Sequence, residues 1–414
     1  MDSQHYATQI VKHLVKEGYI AYFTGGWVRD FVMNHPSADI DIATNAPPEK
    51  ILDLFPRTIL VGLAFGVVIV VIEGHQFEVS TFRRDIGYED GRKPSQIELS
   101  HPEEDALRRD FTINGMFYDP LEKRILDYVG GIEDIKKGTI RTIGNPDERF
   151  AEDRLRMIRA VRFAARFGFT IEEETQVGIM LNADSLFPAV AKERIWQEFT
   201  KMAAFPRLDA ALTELHRLRL LPVIFPALEN VHLRDLKHRV SSFNHFPKTC
   251  PTILYLMELF PQSTLEEQIG ICNDLKTSGK EIQLVEYTYK LREMVCSEML
   301  RLDEGDLVDW AYTYAHPSYQ ICLAAIAARQ TEELRKNLLE KHAKRYKFLS
   351  RHIERVREKK PIVTAAVLQK HGITPGKVMG LLIKEAERIA IIQNLQDADA
   401  IMPHLKNTAI WPER

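Results

Sequence analysis

The stretch from Thr24 to Thr44, TGGWVRDFVMNHPSADIDIAT, constrains this chain more than any other. Asp39 and Asp41 alternate with Ala38, Ile40 and Ile42. Residues two apart in a strand share a face. The spacing therefore predicts a strand that points both carboxylates one way and sends Ile40 and Ile42 into a core. Two carboxylates that close repel unless a cation lies between them. An all-oxygen donor set suits Mg²⁺, which keeps waters and bridges substrate phosphates. Upstream, Gly25-Gly26 offers a turn whose backbone can approach a phosphate, and Arg29 and Asp30 follow at the start of a helix. A lone Asp-x-Asp is common in surface turns. Gly-Gly-x-Val-Arg-Asp at this distance before it is far more specific.

Around that stretch the pattern is mixed α/β. Apolar spacing predicts a helix over 4–18, with Ile10, Leu14 and Val15 on one face. A strand is expected at 20–23, a helix at 28–34 and a break at Pro36. Pro47-Pro48 opens a helix over 49–54. Two β-prone runs, 66–72 and 76–82, flank Gly74 as a hairpin around a small antiparallel or mixed sheet. Residues 85–105 are polar and turn-rich and read as a mobile loop. Residues 111–118 read as helix and 124–128 as strand; from 152 onward nearly everything reads as helix. At 414 residues, about two to four domains are expected. A net charge of −3 means that any nucleic-acid site must be a local patch. Cys250, Cys272, Cys296 and Cys322 match neither a zinc spacing nor a disulfide framework, as expected for reduced thiols in a cytoplasmic protein. The N-terminus lacks a signal-peptide pattern and no run suits a membrane span.

Several further groups carry chemistry. Phe77 and Val79 would face the core, which turns Glu78 to the opposite face as a candidate third carboxylate. Taken alone, it reads more readily as a solvated strand residue. Three carboxylates holding two ions about 4 Å apart would activate a hydroxyl and neutralise a leaving pyrophosphate. Arg108-Arg109-Asp110, followed by Asn114, places cations for a triphosphate beside an acceptor for a ribose hydroxyl; a capped helix flanked by charges is the plainer alternative. Glu152-Asp153-x-x-Arg156 opens a helix expected to run to 167, with Asp153 and Arg156 on one face. Leu155, Ile158, Val161 and Ala165 form its apolar stripe, and Arg156, Arg159, Arg162 and Arg166 its basic one. Asp153 can accept from an exocyclic amine while Arg156 donates to an unprotonated ring nitrogen. Cytosine and adenine present that edge; uracil and guanine do not. The alternative is an exposed ion pair of little consequence. Residues 341–360 read as one basic helix, carrying Lys344, Arg345, Arg351 and Arg355, which suits a phosphate backbone or simply a solvated face. Gly376 closes a Gly-x-x-Pro-Gly turn at a helix start.

Taken together these blocks resemble the bacterial class II nucleotidyltransferases, the tRNA CCA-adding and poly(A) polymerase family. The matching segments are GGWVRD with DID, EVSTFR from Glu78, RRDFTING from Arg108, DYVGGIEDI from Asp127, and EDRLRMIRAVRFAARFGF from Glu152. The resemblance implies an α+β fold: a small mixed-sheet, polymerase-β-like head (1–144), then an all-helical neck (145–215), body (216–330) and tail (331–414). It implies Mg²⁺, in two ions, at Asp39, Asp41 and Glu78. It implies nucleotide contacts from Gly26, Arg29, Arg109, Asp110, Asn114, Asp153, Arg156, Arg159 and Arg162. RNA contacts from Lys344, Arg345, Arg351, Arg355 and Gly376 complete the expected set. Residues 127–134 resemble the family's hinge and 84–105 its flexible loop. No adjacent His-Asp pair marks a second hydrolytic metal site. The expected activity is addition of C, C and A to tRNA 3′ ends from CTP and ATP, with tRNA held at its acceptor and TΨC stem. The rivals are a poly(A) polymerase, a CC-only or A-only enzyme (Asp90-Gly91-Arg92 in the loop leans against CC-only), and a non-catalytic tRNA-binding protein.

Overall fold

The computed structural model describes residues 3–35, 37–62, 66–88, 94–300 and 306–412. The chain forms two compact units, Met1–Lys237 and His238–Arg414. The expected boundaries at 144 and 215 thus fall inside the first unit. Pro36, Asp90-Gly91-Arg92 and the last two residues lie outside the described residues.

The first unit opens with α1 (Ser3–Lys16), β1 (Ala21–Thr24), α2 (Gly26–Val32), β2 (Asp41–Thr44) and α3 (Pro48–Leu54). Then come β3 (Thr58–Gly62), β4 (Val67–Ile72) and β5 (His75–Thr81). With β8 (Phe117–Asp119) and β9 (Arg124–Leu126) they build a seven-stranded sheet in the order β3-β4-β5-β2-β1-β8-β9. Only β2 and β5 pair in parallel, so the sheet is mixed. Glu73 and Gly74, both at positive φ (47° and 81°), make the tight turn between β4 and β5.

Alternation gives the sheet two unlike faces. Phe23, Ile42, Phe77 and Val79 turn into a large core that α1 covers with Ala7, Ile10, Val11 and Leu14. Each such buried aliphatic side chain contributes roughly 1.5–3 kcal/mol. Ala43, Phe82, Ala106 and Phe117 form only a small cluster on the other face. That thinner face carries the chemistry. Ile40 is buried as the alternation requires, but Val15 is 41% exposed: α1 ends at Lys16, and its core stripe runs through Val11 instead.

Four local expectations are corrected. Residues 85–105 are not simply a loop, because β6 (Arg83–Tyr88) and β7 (Pro94–Leu99) pair as an antiparallel hairpin and α4 (Pro102–Leu107) follows. The cross-strand pair Arg84–Glu98, 2.9 Å apart, shows how polar residues can build a ladder exposed to solvent. Residues 111–118 form one 3₁₀ turn, Thr112–Asn114, and then β8, rather than a helix. The strand β2 begins at Asp41, so Asp39 lies just ahead of it. The helix expected from 152 to 167 begins only at Leu155 (α7, Leu155–Phe167), and Glu152 instead ends a separate helix, α6 (Pro146–Glu152), with α5 (Gly131–Lys137) ahead of both. Asp153 between them is extended (φ −148°, ψ 105°), and its carboxylate accepts from Leu155 N at 3.0 Å, a local bond that competes with helix. Further along lie α8 (Glu173–Asn182), α9 (Leu186–Ala189), α10 (Lys192–Ala203) and α11 (Leu208–Arg217).

The second unit is helical. Its longest element, Gly279–Met299, is started by a capping box between Ser278 and Glu281. Near the C-terminal end Leu368, Leu382, Ala390 and Leu405 share one core. The basic stretch is not a single helix: Glu332–Phe348 and Ser350–Glu358 meet at Leu349, which is fully buried. All four cysteines are free thiols. No helix among the described residues is long and apolar enough to cross a membrane.

Candidate active site

On the thin face of the sheet an open cleft of about 450 Å³ is lined by Gly25, Gly26, Arg29, Asp41, Arg108, Arg109, Asp110, Asn114, Asp153, Leu155, Arg156, Arg159, Phe163 and Arg194. Six arginines face three aspartates there. That excess of positive charge suits a polyphosphate.

The floor is set by strand geometry. Gly25 adopts φ 68° to start α2, a conformation that a side chain would strain. A Cβ there would stand 3.5 Å from Asp41 Oδ2 and 3.7 Å from Arg109 Nη1, so backbone, carboxylate and guanidinium converge at this turn. The parallel register pairs Ile42 with Val79, which carries Asp41 alongside Glu78. Burial, then the neighbouring charges of Glu78 and Asp39, push the Asp41 carboxyl up to about 6, with Arg109 opposing. A cation at this point would relieve that repulsion, and an all-oxygen donor set fits Mg²⁺. Among the described residues no three His, Cys, Asp or Glu groups stand together as a ready-made metal cage. Asp39 and Glu78 are exposed and stand outside the lining of the cleft. Substrate phosphates and waters would therefore complete the coordination of any Mg²⁺.

Above the floor, one buried carboxylate organises the arginine pair. Asp105 on α4, 1% exposed, accepts from Arg108 Nη2 at 2.7 Å and Arg109 Nη2 at 2.9 Å. Asp105 went unnoticed in the sequence, although its positions three and four before the arginines are the spacing of a helical ion pair. Asp110 accepts from its neighbour Phe111 N (2.8 Å), from Asn114 Nδ2 (3.1 Å) and from Arg159 Nη2 (2.6 Å). Burial alone would raise its pKa, but Arg159 and Arg156 outweigh burial and hold it down to about 2. Asp110 is therefore an anion, poised to accept. Arg29 is 4% exposed and bonds Asp30 and the Asn114 side chain, the latter at 2.7 Å, so a chain of contacts runs from α2 through Asn114 and Asp110 to α7.

The cleft wall comes from α7 and α10. Asp153 and Arg156 do not pair with each other. Arg194 on α10 grips both oxygens of Asp153, at 3.2 and 2.8 Å. Arg156 donates to Glu152 at 2.5 Å and to the carbonyls of Arg149 (3.1 Å) and Arg108 (3.0 Å). Each is fixed by its own partner. Arg194 was not singled out in the sequence, because nothing there connects positions 41 residues apart. Arg162 departs from expectation. It is buried, 7% exposed, and donates to the buried Glu198 at 2.6 Å, behind rather than in the cleft.

In the second unit, Arg345 pairs with the buried Glu298, which also holds Lys341 at 2.7 Å, and stacks 4.7 Å over Trp310. Arg355 bonds His352 (2.8 Å) and Glu387 (3.3 Å). These two arginines pair with internal carboxylates. Lys344 and Arg351 are exposed and make no ion pair among the described residues. Gly376 is exposed ahead of the helix Lys377–Gln393.

A mixed sheet thus presents an aspartate beside a Gly-Gly turn, in a cleft lined by arginines. Residues 21–141 match the poly A polymerase head domain, and residues 168–231 match the probable RNA and SrmB-binding site of polymerase A. Over these two regions the chain is similar to the poly A polymerase head and to its RNA-binding segment. It is 44% identical over 215 residues to a CCA-adding enzyme of Bacillus cytotoxicus, covering 52% of this chain and 54% of that protein. It is 42% identical over 229 residues to that of Bacillus subtilis, covering 54% and 57%. In these alignments the chain spans about half the length of the curated relatives it matches. The structure of the Bacillus stearothermophilus CCA-adding enzyme in complex with CTP superposes with a TM-score of 0.78 at 25% identity, over 98% of both chains. The Thermotoga maritima CCA-adding enzyme complexed with tRNA shares the fold, with a TM-score of 0.68 at 18% identity, over 96% of this chain and 93% of that one.

Proposed function

We propose that the chain adds C, C and A, without a template, to the 3′ end of tRNA from CTP and ATP, releasing pyrophosphate. The observation that carries this reading is the pair Asp153 and Arg156, each held rigid at the wall of a cleft whose floor is Asp41. An acceptor and a donor lining one cleft match the amine and ring nitrogen of cytosine or adenine and oppose uracil and guanine. Relatives named CCA-adding enzymes, and one solved with CTP, support the same assignment.

In this reading Arg108 and Arg109 bind the triphosphate, and the Gly25-Gly26 backbone lets its phosphates approach the sheet. Asp110 accepts from the ribose hydroxyl. Asp39 and Asp41, with Glu78 nearby on the same face, would hold Mg²⁺, which when bound neutralises the phosphates and favours the ionised 3′-hydroxyl. The tRNA 3′ oxygen attacks the α-phosphorus in line. The bond to the bridging oxygen breaks, and pyrophosphate leaves with the electron pair.

Extension of transcripts ending at the discriminator base, at CC and at CCA, with CTP, ATP or both, tests the proposal. Extension that stops at CCA supports it. Long A tails would make the chain a poly(A) polymerase, the reading favoured by the name of the matched head domain. Extension that stops at CC, or starts only from CC, would make it a partial enzyme, and no extension would leave a tRNA-binding protein.

Two substitutions refine it. Arg156→Ala should lower the CTP-over-UTP ratio of kcat/KM by roughly 10- to 100-fold, the worth of one hydrogen bond to a charged group. An unchanged ratio would mean the base is read elsewhere. In the second unit, Lys344→Ala and Arg351→Ala should each flatten the salt dependence of tRNA binding by about one unit of slope without lowering Tm. Arg345→Ala should lower Tm instead, because it removes one of the cations that compensate the buried Glu298.

A further inference from the structure

Thr24 closes β1 immediately before the Gly25 turn and is 3% exposed. Its hydroxyl is buried and has no hydrogen-bond partner among the described residues. The sheet's other buried threonines are satisfied: Thr44 donates to the Ile20 carbonyl at 2.6 Å and Thr81 to the Ala46 carbonyl at 2.8 Å. A valine would fill the same space as Thr24 without an unmet polar group, so this hydroxyl is an expense to the resting fold.

The register shows what stands beside it. Thr24 lies directly across from Asp41 on one side and from Phe117 on the other. Directly opposed residues bring their Cβ atoms to about 4.5–5.5 Å. The Asp41 carboxylate leans over this end of β1, since a Cβ on Gly25 would meet Asp41 Oδ2 at 3.5 Å. Asp41 in turn accepts no hydrogen bond from any described residue. A donor without an acceptor thus faces an acceptor without a donor, and a change of one staggered χ1 well in threonine exchanges methyl for hydroxyl.

We propose that Thr24 is a positioning residue for nucleotidyl transfer: its hydroxyl donates to one oxygen of Asp41 and leaves the other aimed into the cleft when the cation–triphosphate complex binds. This rests on the nucleotidyltransferase reading above. The bond would form when a bound cation draws the Asp41 carboxylate to one orientation, and it would limit that carboxylate to a single geometry. A phosphate-bound cation needs such near-ideal geometry, because Mg²⁺ tolerates little deviation from an octahedron.

The test compares wild type, Thr24→Val and Thr24→Ser as full chains. It measures CTP incorporation against CTP and against Mg²⁺ concentration. It also measures Tm alone and with Mg²⁺ plus the unreactive analogue cytidine 5′-(α,β-methylene)triphosphate. Thr24→Val should keep or raise the Tm of the free protein and leave the KM for CTP near wild type. It should lower kcat roughly 10- to 100-fold, raise the Mg²⁺ concentration for half-maximal rate, and shrink the Tm rise caused by Mg²⁺ and the analogue. Thr24→Ser should restore the rate. The inference is overturned if Thr24→Val matches wild type in rate and in the Mg²⁺-linked Tm rise, or if its Tm alone falls in step with its activity. A wild-type chain that incorporates no CTP would overturn the nucleotidyltransferase reading itself, and this inference with it.

Discussion

Asp41→Asn should lose CTP incorporation on the order of 10³-fold or more, while the free protein becomes more stable at neutral pH. The loss follows from removing a charged oxygen at the floor of the cleft. The gain follows from the crowding of Asp41, whose carboxyl is pushed up to about 6 by burial first and then by Glu78 and Asp39. An aspartate in the unfolded chain titrates near 3.9. With the folded value higher, the wild-type fold binds the extra proton, and stability falls as pH rises from about 4 through 6. Two pKa units amount to roughly 3 kcal/mol at neutral pH. Asparagine never carries that charge, so urea unfolding in EDTA should separate the variants at pH 7.5 and bring them together below about pH 4. Saturating Mg²⁺ with a triphosphate should also narrow the gap, because the wild-type carboxylate then meets a cation. A variant equally active, or less stable at neutral pH, would remove Asp41 from the role assigned to it.

Glu198→Ala should cost about 3–5 kcal/mol of stability, the penalty for stranding a buried charge. Glu198 is 1% exposed and carries Arg162 at 2.6 Å and Lys201 at 3.1 Å. Burial pushes its carboxyl up, but Arg162 and Arg159 outweigh it and keep it below the ordinary range. The pair's contribution is therefore complete at neutral pH and is lost as acid protonates Glu198. Adding Arg162→Met to Glu198→Ala should recover most of the loss, since replacing both members by apolar groups is often neutral. A double variant as unstable as the single one would show that packing, not the stranded charge, sets the cost. The ion pair ties α7 to α10, the two helices that present Arg156 and Arg194, so the single variant should also weaken the selection of CTP over UTP.

Much of this site was legible from spacing alone. Asp41 and the buried Ile40 and Ile42 follow from period-two alternation, and Gly25 from the demand for positive φ at a turn. Asp110 and Asn114 are four apart and do hydrogen-bond, at 3.1 Å. What failed did so for identifiable reasons. The hairpin at 83–99 was missed because the stretch is rich in polar and turn residues, among which a short alternation such as Ile97 and Leu99 does not stand out. The start of α7 was placed a few residues early because a single side chain-to-backbone bond, from Leu155 N to Asp153, decides the local backbone there. Arg345 and Arg355 look like any cation in a basic run until Glu298 and Glu387 arrive from distant helices.

The sequence by itself determined the α/β-then-helical order and the residues that carry charge at the site, because those depend on local period and on side-chain chemistry at short spacing. The tertiary structure alone decided which charges face the cleft. Arg162 and Arg345 are spent on internal carboxylates, whereas Arg108, Arg109, Arg156 and Arg194 face one cleft. Asp153 is held by an arginine 41 residues away. The physical reason is that burying a charge demands a partner, and that partner is set by where helices pack rather than by distance along the chain.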